Sequence, residues 1–170
     1  MKRILIFAGF FILASTATAG VRGRAVAVVK DADGKIVGTA IAAKSDHGLR
    51  VRIKTLTLST GEHGLHIHAV GKCDAPKFTT AGPHWNPDGK QHGRDNPNGS
   101  HSGDLPNLIV DAKQRGNLSF DLHEADLFGV GGLLDADGSA IVIHAKADDY
   151  KTDPTGNSGD RIACGVFVLR

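Results

Sequence analysis

The sequence predicts an all-β fold of eight antiparallel strands, arranged as a sandwich or flattened barrel with two long loops. Short runs rich in strand-forming residues alternate with turn residues, and no stretch carries the periodicity of a long helix. Two polar segments, 71–107 and 146–160, are far longer than ordinary connections, which is typical of loops with a function. These observations favour a fold in which the strands supply a rigid frame for the loops.

Four strands are predicted ahead of the first long polar segment, at 23–30, 35–44, 49–58 and 64–70. Tight turns at 31–34 and 45–48 join the first three strands. In the third strand the alternation of polar and apolar residues changes phase near Lys54, which predicts a bulge or a bend there.

Four further strands follow that segment, at 108–113, 117–122, 139–145 and 161–169. Each is a short run rich in strand-forming residues that begins directly after Asn, Gly or Asp. The second polar segment separates the last two strands, so both of its ends are predicted to be held by the sheet.

The N-terminus has the three-part pattern of a secretory signal peptide. Lys2 and Arg3 precede an apolar run over 4–13, and small residues end at Ala19. The apolar run is short for a membrane span, so we expect no membrane association after cleavage, and a retained anchor is the alternative. We therefore predict a signal peptide over 1–19 and a single domain over 20–170.

Removal of the predicted signal peptide balances the charge of the chain. The full sequence has 20 basic and 18 acidic residues, and Lys2 and Arg3 lie in the signal, which leaves 18 of each. No run rich in Lys or Arg is present, so the sequence predicts no nucleic-acid partner.

The chain has two cysteines, Cys73 and Cys164. Export to an oxidising compartment favours a disulfide between them, and two buried free thiols are the alternative. No CxxC motif is present, and two isolated cysteines make a poor zinc-finger framework.

Histidines with a nearby carboxylate are the strongest functional signal. His66 and His68 alternate with Leu65 and Ile67, and side chains two apart on a strand point to one face. The other members of this set lie in the first polar segment or at the end of a strand: His84, His92, His101, Asp104 and His144. An all-nitrogen tetragonal set favours Cu(II), whereas a tetrahedral set of nitrogen and carboxylate oxygen favours zinc. The pattern predicts one redox-active ion and one ion that holds the loop.

The motifs around these residues resemble those of the copper/zinc superoxide dismutase family. They are HGLHIHAVG, AGPHWNP, KQHG, HSGDLPN, AIVIHAKADD and TGNSGDRIACGV, and together they cover nearly all of the predicted domain. The resemblance implies a Greek-key order of the strands and the conversion of superoxide to dioxygen and hydrogen peroxide by alternate reduction and reoxidation of copper. The spacing of 11 between Cys73 and His84 resembles the bacterial exported type, which implies a periplasmic protein, or a secreted one if the source is not Gram-negative.

The resemblance also implies a role for each site residue. The implied copper ligands are His66, His68, His84 and His144. The implied zinc ligands are His84, His92, His101 and Asp104, so that His84 bridges the two ions. Asp148 is expected to join a copper ligand to a zinc ligand, and His63 to brace the copper ligands by a hydrogen bond. Cys73 and Cys164 match the disulfide of the family.

Arg161 lies where the family places an arginine beside copper, and together with His84 it is the predicted catalytic residue. Its guanidinium is expected to dock superoxide as a small anion. A non-catalytic copper or zinc buffer, or a metallochaperone, on the same scaffold is the main alternative, and it would have no use for Arg161 at an open copper face. A homodimer and a monomer both remain open.

Overall fold

The structure is a computed structural model that describes residues 23–170. The predicted signal peptide at 1–19 lies outside the described residues, so its cleavage remains a prediction. The described chain forms ten strands: β1 (Arg24–Asp31), β2 (Ile36–Ser45), β3 (Gly48–Leu56), β4 (Gly61–His63), β5 (Leu65–His68), β6 (Leu108–Val110), β7 (Arg115–His123), β8 (Ala140–His144), β9 (Arg161–Val166) and β10 (Val168–Leu169). Its one helical element within residues 23–170 is a 3-10 turn at Thr79–Ala81.

The predicted fold class is confirmed, and the larger number of strands has a local cause. The short strand β4 precedes the fourth predicted strand, and the last predicted strand is divided into β9 and β10. Phe167 separates β9 from β10 and is buried at 3% exposure, so its side chain enters the core at the break.

The strands form one antiparallel sheet that nearly closes into a barrel. Its order is β4-β6-β7-β3-β2-β1-β9-β8-β5, with β10 beside β1. The chain passes directly from β4 at one end of this order to β5 at the other, and Gly64 donates its N–H to Lys146 O and accepts that of His144. Because β3 pairs with β7 and β1 with β9, the connectivity is Greek-key, as the resemblance implied.

The predicted bulge near Lys54 is absent, because the alternation in β3 continues without a break, and the chain bends just beyond the strand, at Thr57, where the backbone φ is +66°. Thr55 points inward at 1% exposure, and Leu56 points outward at 61%. The Thr55 hydroxyl oxygen accepts the N–H of Gly116 at 3.0 Å, which satisfies a polar group at a core position. A hydrogen-bonded threonine therefore replaces the apolar residue that the pattern calls for.

Three long connections project from the barrel. We call 69–107, between β5 and β6, the first loop, and 145–160, between β8 and β9, the second loop. These are the two long loops that the sequence predicts. A third connection, 124–139 between β7 and β8, was not predicted as a functional element, yet it touches the first loop where Trp85 Nε1 donates to Gly131 O at 3.1 Å.

The first loop lies along the free edge of β5 and is tied to it by backbone hydrogen bonds. Trp85 N–H donates to Ile67 O at 2.8 Å, Ile67 N–H to Gly103 O at 2.9 Å, and Leu105 N–H to Leu65 O at 3.2 Å. Leu65 and Ile67 are fully buried in the core. The side chains of β5 thus alternate as predicted, with apolar residues in the core and histidines towards the loop.

The predicted disulfide joins Cys73 in the first loop to Cys164 in β9, with a Cα–Cα distance of 5.7 Å. The two cysteines are 91 positions apart, and the closed segment contains the first loop from Cys73 onward and the whole second loop. Within residues 23–170, no helix has the length and apolar character needed to cross a membrane.

Candidate metal centre

Four histidines meet beside β5. His66 and His68 come from β5, His144 ends β8, and His84 is placed opposite them by the first loop. Their ligand atoms all lie within 4.8 Å of one another, and all four residues are buried. Opposite donors on an ion with bonds of about 2 Å lie about 4 Å apart, so this cluster has the dimensions of a single-ion site.

Each of these four rings has one hydrogen-bonded nitrogen and one buried nitrogen without a partner among residues 23–170. The unpaired atoms are His66 Nδ1, His68 Nε2, His84 Nε2 and His144 Nε2. On the paired side, His68 Nδ1 is 2.9 Å from Gly82 O and His144 Nδ1 is 3.1 Å from Gly159 O, so both nitrogens donate. The opposite nitrogen of each ring then carries a lone pair, which is the form of imidazole that binds a metal.

A second group of donors surrounds the carboxylate of Asp104. Its Oδ1 lies 3.0 Å from His84 Nδ1, 3.0 Å from His92 Nδ1 and 3.1 Å from His101 Nδ1. A tetrahedral zinc site with bonds of 2.0–2.1 Å has donor separations of about 3.3 Å. Since Asp104 Oδ2 accepts the N–H groups of Gly93 and His101, the geometry leaves Oδ1 free to face an ion.

His84 belongs to both groups through different nitrogens. Its Nδ1 faces Asp104, and its Nε2 is the unpaired atom in the cluster with His66, His68 and His144. A set of His66, His84, His92 and Asp104 also falls within 4.8 Å. In that set, however, both nitrogens of His66 are already accounted for: Nε2 lies 2.8 Å from Asp148 Oδ2, and the unpaired Nδ1 belongs to the four-histidine cluster.

Asp148 lies between the two groups and is hydrogen-bonded to a histidine of each. Its Oδ2 is 2.8 Å from His66 Nε2, and its Oδ1 is 3.0 Å from His92 Nε2. Both oxygens are needed for this link, and the N–H of Tyr150 donates to Oδ1 at 2.7 Å. Asn107 also holds the backbone of Asp148 through two hydrogen bonds of 2.8 and 3.0 Å.

His63 reaches the site through the main chain of a neighbour. Its Nδ1 lies 2.7 Å from the carbonyl oxygen of His144, and its Nε2 lies 2.9 Å from Ser59 O. It therefore holds the backbone of one member of the four-histidine cluster, and not an imidazole ring.

The pKa values of the histidines differ between the two groups of metal-ligating residues. Burial lowers the pKa of His66 to about 3, of His68 to about 2 and of His144 to about 4, and their mutual repulsion adds to the effect. Burial also opposes protonation of His92, but its hydrogen bonds with Asp104 and Asp148 outweigh burial and raise its pKa to about 9. The four-histidine cluster is thus neutral at pH 7, whereas a proton competes for His92.

Both carboxylates stay ionised despite being buried. Burial would raise the pKa of Asp104, yet its hydrogen bonds with His101, His84 and His92 hold that pKa far below the ordinary value. The hydrogen bonds of Asp148 with His66 and His92 do the same for its pKa. The second cluster therefore offers the negative oxygen that a divalent cation favours.

Arg161 is half-buried at the start of β9 and is held by the first loop. Its Nη1 donates to Phe78 O and its Nη2 to Gly82 O, both at 2.8 Å. A guanidinium has five N–H donors, so three remain beyond these two bonds. Arg161 lines a cleft together with His84 and Thr155, which places its charge beside the unpaired nitrogens.

The fold and the site together define the class: a nearly closed antiparallel β-barrel that presents two adjoining sets of metal-ligating side chains with one imidazole in common. The family model described as copper/zinc superoxide dismutase (SODC) matches residues 32–167. This chain belongs to the copper/zinc superoxide dismutase family.

Two bacterial relatives, one named a superoxide dismutase and the other a SOD-like protein, support this assignment. A Caulobacter vibrioides protein named superoxide dismutase (Cu-Zn) is 42% identical over 147 residues, which is 84% of each chain. A crystal structure of a SOD-like protein from Bacillus subtilis is 40% identical, with a TM-score of 0.80, and covers 84% of this chain and 97% of that one. One of these proteins is named a superoxide dismutase and the other a SOD-like protein, so the fold alone does not establish an activity. Any activity must therefore be inferred from the metal-ligating residues of this chain.

Proposed function

We propose that this protein is a superoxide dismutase, which converts two superoxide anions and two protons into dioxygen and hydrogen peroxide. The observation that carries the proposal is the set of four buried imidazole nitrogens that face one another without a partner among the described residues. Leaving such polar atoms unpaired is costly, and a bound cation removes that cost.

The proposed copper ligands are His66, His68, His84 and His144, since an all-imidazole set suits copper. The proposed zinc ligands are His84, His92, His101 and Asp104, since the three imidazole Nδ1 atoms lie 3.0–3.1 Å from Asp104 Oδ1, close to the donor separation of a tetrahedral ion. Copper, when bound, would supply the alternating one-electron chemistry that oxidises one superoxide to dioxygen and reduces a second superoxide, with two protons, to hydrogen peroxide.

His84 and Arg161 are the proposed catalytic residues. His84 Nε2 has no hydrogen-bond partner within residues 23–170, so, when it is not bound to copper, it would accept a proton and return it to the product. Arg161 orients the anion: two of its donors are anchored on carbonyl oxygens, and the remaining N–H groups are available to a small oxyanion. Lys77 lines a recess with Arg161, where its positive charge is accompanied by the carboxylate of Asp160.

The decisive experiment compares metal content with activity. We expect the purified protein to bind one copper and one zinc and to consume superoxide. Arg161→Ala should keep both metals and lose activity, by roughly 10- to 100-fold if the lost contacts are worth 1.4–2.7 kcal/mol in the transition state. Arg161→Lys is the matched control, because it keeps the positive charge and loses the planar set of N–H donors of the guanidinium.

A protein that holds both metals with no superoxide-dependent turnover would support the non-catalytic metal buffer instead. An activity that does not respond to Arg161→Ala would contradict the role proposed for Arg161.

We also propose that the protein is exported, to the periplasm in a Gram-negative source. The signal-peptide pattern at 1–19 supports this location, and a disulfide is the form that cysteines take in an oxidising compartment. The mass of the protein purified from a periplasmic fraction tests the predicted cleavage after Ala19. Light scattering on the same sample decides between the monomer and the homodimer, which the sequence leaves open.

A further inference from the structure

We infer that Asp153, in the second loop, is a positioning residue for the zinc ligands His92 and His101. This inference rests on the proposed zinc site. Asp153 Oδ1 accepts the backbone N–H of His92 at 2.6 Å. The same oxygen lies 4.0 Å from His101 Nε2, the ring nitrogen opposite the one that faces Asp104.

The outer part of the first loop, residues 91–101, depends on contacts from outside that loop. His84 and Asp104 adjoin segments that β5 holds directly, since the isolated bridges pair His68 with His84 and His66 with Asp104. Residues 91–101 lie further from β5, and their backbone bonds run mainly within the first loop, as in Gln91 N–H to Asn98 O at 3.0 Å. The second loop supplies an outside support for this part.

Two carboxylates of the second loop reach His92 from different sides. Asp148 contacts the imidazole at Nε2, while Asp153 holds the backbone N–H of the same residue. With its backbone and its ring both held, His92 keeps Nδ1 directed at Asp104 Oδ1. Asp148 fixes the ring, and Asp153 fixes the chain that carries it.

The contact with His101 adds an electrostatic component. A separation of 4.0 Å is too long for a direct hydrogen bond but allows an ionic attraction or a bridging water. A carboxylate behind a metal-bound histidine orients the ring and raises its basicity. The Asp153 side chain is 44% exposed, so solvent screens this attraction, and we assign the larger share of the effect to the hydrogen bond with His92.

The experiment measures zinc retention, because activity alone would not isolate the role. Copper-loaded protein is titrated with a chromophoric zinc chelator. For Asp153→Ala we expect zinc affinity to fall roughly 10- to 100-fold, the range found when partners behind metal ligands are removed. Asp153→Asn should fall less, because its amide oxygen still accepts the His92 N–H while the charge is gone.

Two further readouts separate positioning from a general structural role. Cobalt(II) bound in place of zinc should show an altered visible spectrum in Asp153→Ala, because that spectrum reports the ligand geometry. Copper affinity and the unfolding of the metal-free protein should stay as in the unmodified protein. If zinc affinity, copper affinity and the stability of the metal-free protein all fall together in Asp153→Ala, the variant has a folding defect, and the inference is overturned.

Asp160→Asn is the matched control. It removes one charge from the same loop, and the Asp160 side chain makes no hydrogen bond in the described part of the chain. Equal zinc loss in Asp160→Asn and Asp153→Asn, or unchanged zinc affinity in Asp153→Ala, would contradict a specific role for Asp153. If the unmodified protein binds no zinc at all, the proposed zinc site itself fails, which is a distinguishable result.

Discussion

At the scale of single residues, the hydrogen bond on one side of an imidazole decides which nitrogen is left for a metal. His66 differs from its strand neighbour His68: its unpaired atom is Nδ1, because Asp148 takes Nε2. Asp148 is 82 positions away in sequence from His66. The spacing of the histidines predicts the ligands, but the choice of ring nitrogen depends on partners that the fold brings in.

The first prediction concerns the pH dependence of folding in the metal-free protein. The pKa values of His66, His68 and His144 lie at about 3, 2 and 4 in the folded state, below the ordinary value of 6.5. The unfolded chain therefore binds protons that the folded chain excludes, so the stability present above about pH 6.5 is lost as the pH falls. Three such groups give a slope of up to about 4 kcal/mol per pH unit.

His92 behaves in the opposite sense, because its pKa is raised to about 9. His92 contributes stability below pH 6.5 that is lost as the pH rises through about 9. The three histidines with lowered pKa values act in the opposite sense, so we expect their combined effect to be larger. Urea unfolding of the metal-free protein between pH 7.5 and 5 measures the net effect. A free energy of unfolding that stays level over this range would contradict the burial of neutral histidines.

The second prediction concerns Gly156, whose backbone φ is +62°. A Cβ at this position would overlap Asp148 Oδ1 and press on His92 Nε2. We expect Gly156→Ala to lower zinc affinity at least roughly 10-fold, because it displaces the carboxylate that orients both groups of ligands. Competition with a zinc chelator measures this change.

Gly34→Ala is the control for Gly156→Ala. Gly34 has a φ of +80°, and a Cβ there would meet nothing within 4 Å. Both variants incur the cost of about 1 kcal/mol for a left-handed backbone, but only Gly156→Ala disturbs Asp148. Similar zinc affinities in the two variants would show that the clash is relieved without moving the carboxylate.

At the scale of elements, Tyr150 is one of the residues that dock the second loop on the first. Its hydroxyl oxygen accepts the N–H of Asn107 at 2.8 Å, and its carbonyl oxygen accepts the N–H of Asp95 at 2.9 Å. The guanidinium of Arg94 lies 3.7 Å above the ring centroid. No sequence pattern pointed to Tyr150, because its partners come from two separate parts of the first loop.

The third prediction follows from this docking. Tyr150→Phe leaves the Asn107 N–H without its acceptor, which we expect to cost about 1 kcal/mol of stability. Tyr150→Leu should cost more, because it also removes the ring beneath Arg94. Hydrogen exchange of the two loops measures the effect, and faster exchange confined to the core strands would contradict it.

At the scale of the whole molecule, the disulfide and Arg161 act on the same part of the first loop. Cys164 and Arg161 both belong to β9. The disulfide holds Cys73, and Arg161 holds the carbonyl oxygens of Phe78 and Gly82. The wall of the cleft beside His84 is therefore attached to the barrel at two points.

The fourth prediction is that the double variant Cys73→Ala, Cys164→Ala loses stability and activity together. In the chain-entropy model, a closed segment of 91 residues is worth about 4 to 5 kcal/mol. Urea unfolding measures the stability, and superoxide consumption measures the activity. Reduced stability with full activity below the unfolding transition would show that the contacts of Arg161 suffice to hold the loop.

Much of the fold was accessible from sequence because the strands carry a period-2 pattern. The bulge near Lys54 was wrong because the buried threonine at 55 is satisfied by a hydrogen bond from β7, a contact that lies 61 positions away. The third connection, 124–139, was missed because no motif marks its contacts with the first loop, which are the hydrogen bonds from Trp85 Nε1 to Gly131 O and from Gly71 N–H to Asp137 O.

By itself the sequence determined the strand class, the histidines and carboxylates available to metals, the pair of cysteines and the family. These depend on residue types and short spacings, which are local properties of the chain. Only the tertiary structure decided which imidazole nitrogens face one another, how Asp148 spans the two groups and how Tyr150 and Asp153 hold the loops together. Those features are contacts between residues far apart in the chain, and they exist only once the barrel has brought β5, β8 and both loops to one place.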